Sequence, residues 1–197
     1  MNRHLTLQTP HGPLHGQMNV PPAAHAAILL ARSHQTPIDA IISANLANRG
    51  NAILSMDLLS SQEAHFADAT QNVPRLAPRL IDLLDLARRD DSLSSLPIGI
   101  FATGDASPAA VRAAAQRDTQ IRAVACHGGQ IDRAGKQSLE FLRAPLLMLG
   151  DPADTAAKSS YALARPLLTP PHEFHELGPA EDPVLRVAAW FSLYLRG

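Results

Sequence analysis

Short apolar runs alternate with amphipathic stretches along the chain, and turn-forming residues separate them. Two extended candidates come first, at 4–8 and 14–20, divided by a His-Gly-Pro turn signal and closed by Pro21 and Pro22. They predict an antiparallel hairpin. The apolar run 26–31 suits a strand buried on both faces. A helix should follow, with Thr36 as N-cap, Pro37 at its first position and Gly50 at its C-terminal cap. Ile38, Ile41, Ile42 and Leu46 would form its apolar stripe. The polar stretch 60–73 reads as a loop or irregular crossing, and a second helix is predicted over 74–89 with Leu76, Leu80, Leu83, Leu84 and Ala87 on one face. Further strands are predicted at 52–56, 97–102, 121–126, 145–149 and 172–177, and further helices at 107–117, 155–167 and 183–195. Ser107 followed by Pro108 gives the first of these helices an N-cap and a first-turn residue. Strands spaced by helices predict right-handed βαβ units and a mainly parallel sheet, made mixed by the leading hairpin.

Composition narrows the class. A chain of 197 residues fits one domain over 1–197, with no room for a cap domain. Hydrophobic residues make up 46% and charged residues 18%, which is globular rather than disordered. A formal net charge of −1, with scattered arginines, gives no footprint for nucleic acid or an anionic membrane. The single cysteine, Cys126, excludes an intrachain disulfide. Residues 1–20 lack a signal-peptide core and no apolar run is long enough to span a bilayer, so a soluble, cytoplasmic protein is expected. The nine histidines show no metal-ligand pair on a predicted helix, and no glycine-rich phosphate loop is present. Neither a metal nor a cofactor is expected.

The stretches ANLANRGNAILSMDLL (44–59), LPIGIFATGDASPAAVRAAA (96–115), IRAVACHGG (121–129), RAPLLMLGDPADT (143–155) and the closing 188–195 carry a resemblance. In their order and spacing the chain resembles the short dienelactone-hydrolase-like proteins of the α/β-hydrolase superfamily, which occur alone or attached to phosphoribosyltransferase domains. The resemblance covers nearly the whole chain. It implies a mixed, mostly parallel sheet of about eight strands with helices on both faces, and a hydrolase of small esters, lactones or thioesters.

It also implies positions for the catalytic groups. The nucleophile of such enzymes is a serine on a strained strand-to-helix turn, G-x-S-x-G. The matching run here is Ala102-Thr103-Gly104-Asp105-Ala106, which puts Gly104 at the nucleophile position. The acid position matches Asp154, with Asp151 as a neighbour; the alternative for Asp154 is a cap on the helix at Thr155. The base position, in the run 177–182, matches Asp182, which with Pro183 also reads as an N-cap. An aspartate near its ordinary pKa of about 4 is a poor proton acceptor from a hydroxyl at neutral pH. The loop 31–35, where a first oxyanion-hole donor would stand, has no glycine.

With these positions substituted, the expected protein is a non-catalytic homologue that binds a small molecule or a protein partner. The alternative is an active hydrolase with rearranged residues. Asp105 could serve as a carboxylate nucleophile, as in proteins similar to haloalkane dehalogenases and epoxide hydrolases. Cys126 beside His127 could supply a thiolate, although strand neighbours point to opposite faces. His172 and His175, on the last strand, would need the chain to shift to act as the base. The closing helix carries Val184, Val187, Ala188, Phe191 and Leu195 at helical spacing, a stripe that suits the core or else a homodimer seam.

Overall fold

The computed structural model describes residues 2–10, 12–33 and 37–195, the backbone alone for 37–39. Thr36 and His34, the expected helix cap and one histidine of the oxyanion-hole loop, lie outside the described residues.

Strands β1 (Asn2–Thr9) and β2 (Gly12–Asn19) form the expected hairpin, pairing antiparallel from Asn2↔Asn19 to Thr9↔Gly12. β3 (Ala26–Arg32) is buried along its whole length, as an apolar run between two helical layers requires. After it come α1 (Pro37–Ala47), β4 (Asn51–Asp57), α2 (Val73–Arg89), β5 (Ile98–Thr103), α3 (Ser107–Gln116) and β6 (Ile121–His127). A short α4 (Lys136–Phe141), β7 (Leu146–Gly150), α5 (Thr155–Ala164), β8 (His172–Glu176) and α6 (Pro183–Tyr194) complete the chain. The eight strands make one sheet in the order β1-β2-β4-β3-β5-β6-β7-β8, parallel from β4 to β8.

Two apolar layers sandwich that sheet. On one face, Leu76, Leu80, Leu83 and Leu84 of α2 pack with the alanines of α3 and with Leu29, Ile100 and Cys126 from the strands. On the other, Ile42 and Leu46 of α1 and Val184, Val187, Trp190 and Phe191 of α6 cover Ile28, Phe101 and Ala125. The alternation of Ile100 and Phe101 between layers is the period-two rule of a strand. The stripe expected on the closing helix is therefore seated in the chain's own core. Ile41 departs from the expected α1 stripe: it is 61% exposed while its neighbour Ile42 is buried, one step of about 100° around the helix being enough to turn it outward.

One local expectation needs correction. Ser107 does not cap α3; it is the helix's first residue, and its hydroxyl instead donates to the Gly128 carbonyl at 2.9 Å. The segment 60–72 is an irregular crossing with two short 3-10 turns, Glu63–His65 and Ala69–Gln71, pinned by a buried carboxylate.

Candidate functional site

In a mostly parallel sheet the carboxyl ends of the strands are where ligands bind, because loops and helix N-termini converge there. β5 ends in this region, and a single 3-10 turn, Gly104–Ala106, joins it to α3. Gly104 has φ +53°, a left-handed conformation that costs a residue with a Cβ roughly 1–2 kcal/mol. A Cβ placed on it would meet nothing within 4 Å, so the space at this position is open. The loop after β6 closes tightly against the turn. A Cβ on Gly129 would stand 2.0 Å from the Gly104 carbonyl oxygen, so only glycine permits this approach.

Asp105 does not stand free. Its Oδ2 accepts a hydrogen bond from Thr70 Oγ1 at 2.6 Å, tying the turn to the segment 60–72. That segment is anchored in turn by Glu63, which is 3% exposed. Arg79 Nη2 donates to Glu63 Oε1 at 2.7 Å and Arg79 Nη1 to Oε2 at 2.8 Å, a bidentate pair. The Ser60 N–H donates to Glu63 Oε2 at 3.0 Å and the Glu63 N–H to Ser60 Oγ at 3.3 Å. The Arg79 guanidinium, with the Ser60 N–H, lowers the Glu63 pKa from 4.5 to about 2 against the opposing cost of burial. Sequence reasoning missed this group, although Ser60-x-x-Glu63 is the reciprocal capping-box pattern.

Cys126 and His127 diverge as neighbours on a strand must. Cys126 is fully buried in the α2–α3 layer, and burial pushes its thiol up to about 12 despite a hydrogen bond with Ser107. It is a thiol, not a thiolate, at neutral pH. His127 is half-buried at the carboxyl end of β6, in register with Thr103, and its Nε2 lies 3.4 Å from Asp151 Oδ1. Thr103 Oγ1 in turn accepts from Arg32 Nη1 at 2.9 Å, so a polar row of Arg32, Thr103, His127 and Asp151 runs beside the turn.

The remaining expected positions are occupied by caps and ion pairs. The Ala157 N–H donates to Asp154 Oδ1 at 2.9 Å, which makes Asp154 the N-cap of α5. Its other oxygen lies 3.2 Å from where a Cβ on Gly128 would be, close to the β6 loop. The Val184 N–H donates to Asp182 Oδ1 at 2.8 Å, capping α6. His175 Nε2 lies 2.9 Å from Glu181 Oε2, and Glu181 also accepts the Gly178 N–H and pairs with Arg186. The Gly178 N–H, then His175 and Arg186, hold the Glu181 carboxyl down at about 2. His172 Nδ1 lies 2.7 Å from Tyr161 Oη. Each of these two histidines thus has a partner away from the turn. Among the described residues no group of three or more His, Cys, Asp or Glu side chains could hold a metal ion, and no helix is long and apolar enough to cross a membrane.

No protein-family model matches the chain. Two curated proteins of Mycobacterium tuberculosis, strains CDC 1551 / Oshkosh and H37Rv, are each 27% identical to it over 199 residues; both are described as "Putative phosphoribosyl transferase". The match takes in 94% of this chain but 45% of theirs, so the chain spans less than half the length of these relatives. Among solved structures, dienelactone hydrolase from Anabaena variabilis superimposes with a TM-score of 0.88 at 24% identity, covering 100% of this chain and 99% of that one. Est1E from Butyrivibrio proteoclasticus does so with a TM-score of 0.73 at 9% identity, covering 94% of each chain. The fold is that of the α/β-hydrolases, with the N-terminal hairpin and eight-stranded mixed sheet expected.

Proposed function

We propose that the chain keeps the hydrolase scaffold but not its chemistry, and acts by binding a small molecule or a protein partner. The observation that carries this reading is Gly104. It sits at the nucleophile turn in the strained left-handed conformation, with open space where an attacking side chain would stand. Covalent hydrolysis needs a nucleophile, a base within hydrogen-bond reach and an oriented acid. Here the position matched to the nucleophile holds Gly104, the position matched to the base holds the α6 cap Asp182, and the position matched to the acid holds the α5 cap Asp154. Of the rescue residues, Asp105 is tied to Thr70 through Oδ2, and the Cys126 thiol is buried and protonated. A cytoplasmic location belongs to the same reading.

A second reading retains support from His127 and Asp151. An imidazole beside a carboxylate, one strand away from the turn, is a base–orienter pair of the kind hydrolases use. On that reading the chain is a hydrolase of small esters, lactones or thioesters with rearranged residues. Hydrolysis of 4-nitrophenyl butyrate by the purified protein separates the two readings, with heat-denatured protein, Asp105→Ala and His127→Gln in parallel. The binding reading predicts a rate equal to the denatured control in every sample. Saturable turnover that disappears in either variant would establish the hydrolase.

A further inference from the structure

A cavity of about 610 Å³ opens at the other end of the sheet, where β3, β5 and β6 begin. Pro97 lies on its wall just before β5, and Gly104 follows that strand; at about 3.3 Å per residue the two ends are roughly 20 Å apart. The cavity is therefore separate from the nucleophile turn, and a ligand bound in it is independent of whether that turn catalyses.

Its chemistry is two-sided. Arg88 from the last turn of α2 and Arg122 from β6 bring two guanidiniums to it, His25 stands with them, and among the described residues no carboxylate lines it. Both arginines are exposed, and neither has a hydrogen-bond or ion-pair partner among the described residues. The C-terminal ends of α2, α3 and α6 lie at this end of the sheet and oppose the arginines. Each end amounts to only about half a unit charge, decaying within a turn, against two full charges. Ser94, Ser95 and Thr119 add hydroxyls. Leu96, Leu195 and the Tyr194 ring add apolar surface, the ring packing against Trp190 with ring centres 4.7 Å apart. Gln120 also lines the cavity.

We propose that this cavity binds a small organic phosphate monoester carrying a ring-sized body. Two guanidiniums match the charge and the several oxygens of a phosphate dianion, whereas a lone carboxylate needs only one. The Tyr194 wall takes the ring.

The test is an amide-resolved NMR titration of the chain with phenyl phosphate, with inorganic phosphate and phenol as separate arms. The expected result is saturable perturbation at residues 94–96 and 119–122, tighter for the monoester than for either fragment. Arg88→Gln and Arg122→Gln, both at exposed positions, should each weaken binding roughly tenfold, the worth of one charge-assisted hydrogen bond. Arg186→Gln, which removes an equal charge elsewhere, should leave the affinity unchanged. Perturbation centred on residues 104–106, inorganic phosphate binding as tightly as the monoester, equal weakening by Arg186→Gln, or no saturation in the millimolar range would each overturn the proposal.

Discussion

Removing the charge of Glu63 is the perturbation whose cost comes most directly from the geometry. Its carboxylate is almost wholly buried and accepts both arms of Arg79, itself 5% exposed, together with the Ser60 N–H. The pKa falls from 4.5 to about 2. A difference of about 2.5 units corresponds to roughly 3 kcal/mol in favour of the ionised folded state. Unpairing a buried charge independently suggests about 3–5 kcal/mol. Because the folded pKa is depressed, this stability is present above the unfolded value of 4.5 and is lost as the pH falls toward 2. Urea denaturation followed by far-ultraviolet circular dichroism should show Glu63→Gln less stable than the parent by roughly 3 kcal/mol at neutral pH. The gap should shrink steadily through the acid range. Replacing both partners, Glu63→Met with Arg79→Met, should cost less than either single change, since no charge is left stranded. A Glu63→Gln protein within about 0.5 kcal/mol of the parent, or a gap that does not change with acid, would refute the reasoning.

Three other outcomes are expected from the same geometry. Asp154→Ala and Asp182→Ala should each lower stability by about 1 kcal/mol, the usual worth of an N-cap, as read by chemical denaturation. Cys126, buried and held up at about 12, should resist alkylation by iodoacetamide in the native protein and react once the chain is unfolded; rapid native labelling would contradict its placement. Gly104→Ser should fold, because the space is open, yet lose roughly 1–2 kcal/mol to the left-handed backbone, visible as a modest fall in Tm.

The fold is legible in the sequence because its signals are local and repeated. Apolar runs such as 26–31 and the leucines of α2 point one way through periodicity alone, and Gly50, with φ +82°, closes the turn that follows α1 three residues past its end. Features that depend on distant partners are not legible in this way. Ser107 resembles a cap because the Ser-Pro pair is a good local signal, but the Gly128 carbonyl, 21 residues away, claims its hydroxyl. Glu63 resembles a solvated acid because it stands in a polar stretch; Arg79 is what makes its burial tolerable. The short helix α4 escapes detection by periodicity because six residues carry too little of it. For the site, the aspartates at 154 and 182 announce their caps through the threonine and proline that follow them. No sequence pattern joins Asp105 to Thr70, or gathers Arg88, Gln120 and Arg122 around one cavity.

On the proposed reading Gly104 leaves the turn after β5 without a serine nucleophile and the chain should not turn over an ester; that is the central claim to test. The measurement is the initial rate of 4-nitrophenyl butyrate hydrolysis against substrate concentration, for native and heat-denatured protein at equal concentration. Two coincident, non-saturating lines are predicted. A native rate that saturates, disappears on denaturation and is abolished in Asp105→Ala or His127→Gln would contradict the claim and return the chain to the hydrolases as an enzyme.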